Sequence, residues 1–382
     1  MAERTIILGT GQLARRIVEE IAAQPDGAAE LCGVISEHPR MGPQFTATWL
    51  GSLHKLSAIL AEHRPERVIV AVEEEYGHLS ADLLVDLQAL HDMDVESGLD
   101  AYERLTGKLA IESLTADSVL FSSRFRPSRP ALWFARGYSL AAAVVATLLF
   151  LPLMALIAVW IRLDSPGPVL FVQERVGLGN RHFRLLKFRS MRVTGRRHSE
   201  WAADNEDRIT RAGRWLRKFR LDELPQFINV LRGDMNLVGP RPHPESNRRL
   251  FILVSRNTPE CGEQIPYYSL RSSIRPGITG WAQVRYKYAN GLDEEMEKLR
   301  YDLYYIKHFS LWLDMRILFE TVKVVLLGHR RPVRDAEMAP AMDGGVDSVS
   351  PDRPLMPGLA ELPPPPMPRP GLGPDGRVGG VQ

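Results

Sequence analysis

Cysteine is nearly absent: Cys32 and Cys261 are the only two in 382 residues, far apart and outside any CxxC or Cys/His cluster, so neither a disulfide framework nor a zinc site is expected. A reducing, cytosolic setting fits. Neither sign of charge is in excess, with 48 Lys and Arg against 46 Asp and Glu and a formal net charge of +2, a balance that points to no nucleic-acid partner and no strongly acidic one. The opening residues, MAERTIILGTG, lack the apolar h-region and small-residue cleavage site of a signal peptide. Export of the first domain is not expected. Long apolar runs are also missing, with one exception, and the length favours two domains plus extras over a single core.

The first part of the chain alternates strand-like and helix-like patterns. Thr5 to Leu8 is a short apolar run, and Gly9-Thr10-Gly11-Gln12-Leu13-Ala14 opens a helix through about Ala23. Leu31 to Ile35 and Arg67 to Val72 are further strand-like runs, separated by helical patterns at Leu53 to Arg64 and Ser80 to His91, and such alternation favours a parallel sheet with helices on both faces. The Gly9 and Gly11 turn can seat a pyrophosphate on a helix N-terminus, with Glu37 near the place of a ribose-binding acid. The alternative is a tight strand-to-helix turn in a degenerate, regulatory module, since about 115 residues supply barely half a dinucleotide fold.

The exceptional apolar run is Tyr138 to Ile161, 24 residues without a charge and about 36 Å as a straight helix, enough to cross a bilayer. Pro152 near its middle removes an N–H and crowds the carbonyl of Leu148, so a kink or break is expected there. Arginines flank both sides: Arg124, Arg126, Arg129 and Arg136 before, and Arg162, Arg175, Arg181 and Arg184 after. Positive charge at both ends assigns both to the cytoplasm. The combination gives a re-entrant hairpin with Pro152 as the membrane bend; a straight span with a tolerated kink is the alternative.

From Ser165 to about Leu327 the pattern is mixed. Val169 to Val172 and His182 to Phe188 read as strands joined by a turn at Gly177 to Asn180, followed by helical patterns at Arg211 to Arg220 and Pro225 to Leu231. Beyond Gly328 the Pro/Gly-rich tail is expected to be disordered. Arg181 to Arg220 is densely basic, with arginines at 184, 189, 192, 196, 197, 208, 211, 214, 217 and 220 and lysines at 187 and 218, a patch able to hold lipid headgroups or substrate phosphates. At its end comes Arg220-Leu-Asp-Glu-Leu-Pro-Gln226. Pro225 suits a first helical turn, which puts Asp222 and Glu223 at a helix N-terminus among arginines, where at least one carboxylate stays ionised as a nucleophile requires. Adjacent carboxylates repel, and a divalent metal relieves that. Gly233 to Pro242 and Arg275 to Val284 each set an arginine beside rigid Pro and permissive Gly, able to fix a cation or expose N–H groups to an anion, or simply to turn the chain.

These residues resemble the bacterial sugar transferase family, the monotopic polyprenyl-phosphate glycosyl-1-phosphate transferases that initiate exopolysaccharide, capsule or O-antigen synthesis. The resemblance runs from about Arg136 to Leu327 through six ordered motifs: Phe171 to Gly177, Lys187 to Met191, Leu221 to Gln226, Gly233 to Pro242, Arg275 to Val284, and Tyr301 to Ile306. It implies a re-entrant helix, magnesium (Mg2+) as cofactor, and transfer of a sugar 1-phosphate from a nucleoside diphosphate sugar to polyprenyl (undecaprenyl) phosphate. It further implies chemistry at the cytoplasmic face of the bacterial inner membrane, in contact with membrane lipids. Carried over by motif, Asp222 takes the covalent phosphosugar, Glu223 is its metal-binding or acid-base partner, and Asp222 and Glu223 are the tentative magnesium ligands. Lys187, Arg217, Arg241, Arg275 and Asp302 stand at substrate or phosphate positions. Larger members carry several spanning helices ahead of a Rossmann-like domain, whereas this sequence opens at Thr5 on that domain.

The expected architecture is therefore an α/β Rossmann-like N-terminal domain (1–118), a basic linker (119–136), a re-entrant membrane helix (137–163), a mixed α+β membrane-associated catalytic domain (164–328) and a disordered tail (329–382). Two rival readings fit the pattern less well. A nicotinamide-dependent sugar-modifying enzyme built on the Gly9 turn lacks a visible Tyr-x-x-x-Lys pair, and a lipid-binding scaffold leaves the intact Asp222–Glu223 pair unexplained.

Overall fold

The computed structural model describes residues 3–23, 29–37, 45–72, 93–111, 114, 117, 119, 121–192, 208–245, 267–286 and 292–327. The expected helix at Ser80 to His91, Arg196, Arg197, Cys261 and the tail lie outside them. Met1–Arg330 forms one compact unit.

Five parallel strands open the chain: β1 (Glu3–Leu8), β2 (Ala29–Ile35), β3 (Trp49–Gly51), β4 (Arg67–Val70) and β5 (Asp94–Ser97), in the order β3-β2-β1-β4-β5. Apolar side chains alternate to both sides of the sheet, so both faces need a cover. Helices α1 (Gln12–Ala22) and α3 (Gly98–Thr106) close one, burying Ile17, Val18 and Tyr102 with Ile7 and Ile69. Helix α2 (Leu56–His63) closes the other over Ile6, Leu8 and Val68. Gly9 has φ +113°, and a Cβ there would lie 2.4 Å from the carbonyl oxygen of Ala71. Close packing of the β1 and β4 ends thus requires this glycine without any ligand.

Helix α4 runs unbroken from Arg129 to Asp164, with Pro152 inside it. It begins well before the apolar run, so helix replaces the second half of the expected basic linker, and of the kink or break expected at Pro152 the full break does not occur. Proline deletes one rung of the ladder, and the turns on either side keep theirs. Ser128 caps the start through its Oγ, which accepts from the Ala131 N–H. Along α4, Val144, Val145, Leu148, Leu149, Leu156 and Val159 are exposed, an apolar face that water does not favour and lipid does.

The rest of the unit is built around α4. Strands β6 (Leu170–Val176) and β7 (His182–Phe188) form an antiparallel hairpin over a turn in which Gly179 and Asn180 both have positive φ. Helices α5 (Arg211–Lys218) and α6 (Gln226–Arg232) follow, then strand β8 (Asn236–Val238), which pairs in parallel with β9 (Gly277–Thr279). Helices α7 (Trp281–Arg285), α8 (Leu292–Lys307) and α9 (Leu311–Leu327) complete it. Their core joins Phe183, Leu185, Val230, Leu303, Tyr305 and Ile317 to Ala143 of α4, and also to Leu109 and Ile111, which precede the expected domain boundary.

Candidate active site

The Asp222–Glu223 pair lies in a separate 3-10 turn, Leu221–Glu223, ahead of α6, with Pro225 at the cap position of the helix. The pair thus stands at the N-terminal end of the helix, as Pro225 suggests, in a turn of its own. Arg220 enters the turn in the left-handed region at φ +53°, which folds the chain back and carries both carboxylates inward. Asp222 is 9% exposed and Glu223 8%.

Two cations converge on one atom of Glu223. Lys187 Nζ and Arg241 Nη2 each lie 3.1 Å from Glu223 Oε1. Burial alone raises a carboxyl pKa, but Lys187 and Arg241 overcome it and hold Glu223 down at about 2. Asp222 goes the other way. Burial pushes its carboxyl above the ordinary aspartate value, Glu223 adds to that, and Lys187, Arg217 and Arg241 oppose it. Among the described residues no hydrogen bond or close ion pair ties the Asp222 carboxylate. The turn therefore carries one carboxylate that is paired and one that is surrounded by cations yet uncommitted.

The supporting structure explains how Lys187 reaches the pair. It sits near the end of β7, where burial pushes its ammonium below the ordinary lysine value and Glu223 opposes the fall. Asn229 of α6 is wholly buried; its Oδ1 accepts from Leu186 N–H at 3.0 Å while its Nδ2 donates to Arg184 O at 2.7 Å and Asp234 Oδ2 at 3.1 Å. That clamp locks the helix after the dyad to the strand carrying Lys187. Arg217 comes from α5, its Nε donating to Ser190 Oγ at 3.0 Å. A Cβ at Gly213 would meet Ser190 O at 1.9 Å, so this glycine permits the backbone contact that brings Arg217 close.

Of the residues expected at the site, the structure brings together Asp222, Glu223, Lys187, Arg217 and Arg241. Arg275 stands apart, donating through Nε to Gly233 O at the far end of α6. Asp302 is 1% exposed and paired with Arg271 at 2.7 Å, one layer behind Arg241. Arg189, read as part of a phosphate-binding basic run, is consumed in structure: its Nη2 donates to Ser165 O at 2.6 Å and Ser165 Oγ at 2.9 Å, and its Nη1 to Pro166 O at 3.0 Å, capping the end of α4. Gly9 and Gly11 belong to the first domain. Asn229, Arg271 and Ser190 were not singled out by sequence reasoning, although Ser190 lies inside the Lys187 to Met191 motif.

Among the described residues no group of three or more His, Cys, Asp or Glu could hold a metal. Magnesium commonly takes only one or two carboxylates and completes its shell with water and substrate phosphates. The uncommitted Asp222 carboxylate and Glu223 Oε2, the oxygen away from Lys187 and Arg241, fit that donor set.

Comparison with known proteins adds an independent line. A model of the bacterial sugar transferase family matches residues 131–328, just over half of the chain. The UDP-N-acetylgalactosamine-undecaprenyl-phosphate N-acetylgalactosaminephosphotransferase of Aeromonas hydrophila is 46% identical over 227 residues, covering 59% of this chain and 51% of that protein. The UDP-glucose:undecaprenyl-phosphate glucose-1-phosphate transferase of Xanthomonas campestris pv. campestris is 45% identical over 193 residues, 48% of this chain and 37% of the relative. Its Escherichia coli (strain K12) namesake is 40% identical over 190 residues, 49% and 39% respectively. The chain spans about half or less of the length of these three relatives.

Proposed function

The chain belongs to the bacterial sugar transferase family, and on that premise we propose that it transfers a sugar 1-phosphate from a nucleoside diphosphate sugar to undecaprenyl phosphate through a covalent phosphosugar on Asp222, beginning a surface polysaccharide. The observation that carries this reading is the division of labour in the buried dyad, with Glu223 paired to Lys187 and Arg241 and Asp222 uncommitted. A free carboxylate among cations can meet an anionic phosphorus that would otherwise repel it.

In the first step an Asp222 oxygen attacks the β-phosphorus. The bond from that phosphorus to the bridging oxygen breaks, and the nucleoside monophosphate departs with the electron pair. In the second step a phosphate oxygen of the polyprenyl acceptor attacks the same phosphorus and displaces the Asp222 carboxylate, giving a polyprenyl diphosphosugar and the free enzyme. Lys187, Arg217 and Arg241 offset the phosphate charge throughout. Magnesium, when bound through Asp222, Glu223 Oε2 and the phosphates, would supply further charge compensation.

Delivery of the lipid acceptor fits the placement of α4. Its start is tied to the catalytic body by Arg136 Nη1 donating to Met235 O and Tyr138 OH to Asp314 Oδ2, and its end by the Arg189 cap. Tyr138 and Ser165 are about 40 Å apart along a straight helix, more than the thickness of the hydrocarbon core. A straight span would therefore place polar anchors of one body on both faces of the membrane, so the anchoring supports a helix that bends at Pro152 when in lipid and enters and leaves from the cytoplasmic side of the bacterial inner membrane. The strand order β3-β2-β1-β4-β5, with its switch point beside Gly9, supports a Rossmann-like reading of the first domain.

The test is transfer of radiolabel from a panel of nucleoside diphosphate sugars into a lipid fraction containing undecaprenyl phosphate. One donor should label lipid and release one nucleoside monophosphate per transfer. Absence of lipid label with every donor would refute the reading.

A further inference from the structure

Arg241 makes the second of the two contacts to Glu223, yet it stands between Pro240 and Pro242. Neither proline has an N–H to donate. The path of this segment must be fixed largely through its carbonyls, and each of the four in a row has a donor. Pro240 O accepts from Gly277 N–H at 3.0 Å and His243 O from Val176 N–H at 3.0 Å. Pro242 O accepts from Arg175 Nη1 at 3.1 Å, and Arg241 O from Arg271 Nη2 at 3.1 Å.

Arg271 is the part of this strap with the most elaborate support. It is 9% exposed, and its Nη2 also pairs with Asp302 Oδ2 at 2.7 Å. Its Nη1 lies 2.8 Å from His243 Nδ1, an atom that is also 2.8 Å from Tyr268 OH. Burial and the neighbouring Arg271 push His243 well below the ordinary histidine value, so its ring is neutral and able to accept from the guanidinium. The cavity bounded by Gly177, Pro242, His243, Tyr268 and Arg271 is only about 30 Å³, room for about one water molecule.

We infer that Arg271, oriented by Asp302, is a positioning residue: it holds the main chain at Arg241 so that the Arg241 guanidinium meets Glu223 and the donor phosphates. This assigns Asp302 a place behind the site rather than on the substrate, and it rests on the role given to Arg241 above. A lysine at 271 keeps the charge opposite Asp302 but loses the planar fork that serves Asp302, Arg241 O and His243 together.

The test is a double-mutant cycle on the full chain. Arg271→Lys should lower kcat/KM for the donor by roughly 10- to 100-fold, the scale of a lost supporting residue. In an Arg241→Ala background the same change should cost less than about 3-fold more, because the group it positions is gone. Asp302→Asn should show a smaller loss with the same disappearance, and it serves if Arg271→Lys does not fold. Equal fold-losses in both backgrounds would overturn the inference, since a residue that touches substrate itself, or merely stabilises the fold, acts independently of Arg241. If the unmodified protein shows no transfer from any donor, the proposed function fails, and the cycle is read instead in thermal midpoints. Non-additivity of about 2 °C or more then supports the positioning contact, and additive shifts overturn it.

Discussion

Glu223 and Asp222 are neighbours in sequence with opposite electrostatic fates. Glu223, held at about 2, contributes stability that is present above the unfolded carboxylate range and lost as pH falls towards that value. Asp222, raised by burial, must lose its proton to act, so kcat/KM should fall on the acid side with a midpoint above that of an ordinary aspartate. Lys187 opposes that rise, and Lys187→Met should therefore move the limb to higher pH as well as slow the reaction; an unmoved limb in the pH–rate profile would show that Asp222 is not the titrating group. Asp222→Asn should reduce transfer by several orders of magnitude, on the scale of a lost nucleophile, whereas loss of a mere helix cap costs only about 0.5–2 kcal/mol of stability. Intact-mass measurement with donor alone should find one phosphosugar on the unmodified protein and none on the variant. The acidic pair and its cations were legible in sequence because Leu221 to Gln226 follows a basic run. What sequence could not reveal is which carboxylate is paired, since that depends on Lys187 and Arg241 arriving from β7 and from the Pro240 to Pro242 segment, 36 residues before Glu223 and 18 after it.

At the scale of elements, the strands His182–Phe188 and Ala29–Ile35 lie where alternating and β-branched runs place them. Sequence shows less where local signals compete. Pro225 places the dyad at a helix N-terminus, where it lies, but the separate turn set by Arg220 in the left-handed region is not visible in the pattern. Pro152 pointed to a kink or a break, and α4 stays helical through it, which leaves no full break. Sequence patterning also counted Arg189 in a basic run able to hold lipid headgroups or substrate phosphates, because a helix cap is invisible until the helix end is folded against the strand. The anchoring of both ends of α4 to one body predicts that cysteines replacing Arg126 and Pro168 in intact cells resist a membrane-impermeant maleimide and react only after the membrane is opened. Labelling of either from outside would rule out the one-sided arrangement.

Across the molecule, the boundary expected at residue 118 does not match the packing. Leu109, Ala110 and Ile111 are fully buried, with Leu109 and Ile111 in the catalytic core, and Leu109 N–H donates to Arg300 O at 3.2 Å. Trp281 Nε1 donates to Gly107 O at 2.8 Å, while Glu103 takes Lys307 Nζ and His308 Nε2, both at 2.7 Å. Such long-range pairing leaves no trace in hydropathy, which records only that these residues are apolar or charged. Burial of Leu109 and Ile111 is worth about 1.5–3 kcal/mol each. A chain begun at Thr106 should thus melt several degrees higher than one begun at Val119, by scanning calorimetry in detergent, and retain more transfer activity. Equal midpoints would place the true boundary at 118.

The Arg189 cap has a geometric consequence. Lys187 and Arg189 are two residues apart at the end of one strand, about 7 Å, with the first at Glu223 and the second gripping the last turn of the apolar helix. If the apolar helix lies in lipid, its last turn serves as a waterline and the strand as a plumb line dropped from it. Under the proposed function the fold would then set the height of the Lys187 cation above the hydrocarbon, and an acceptor phosphate at headgroup level would meet the dyad at a fixed depth.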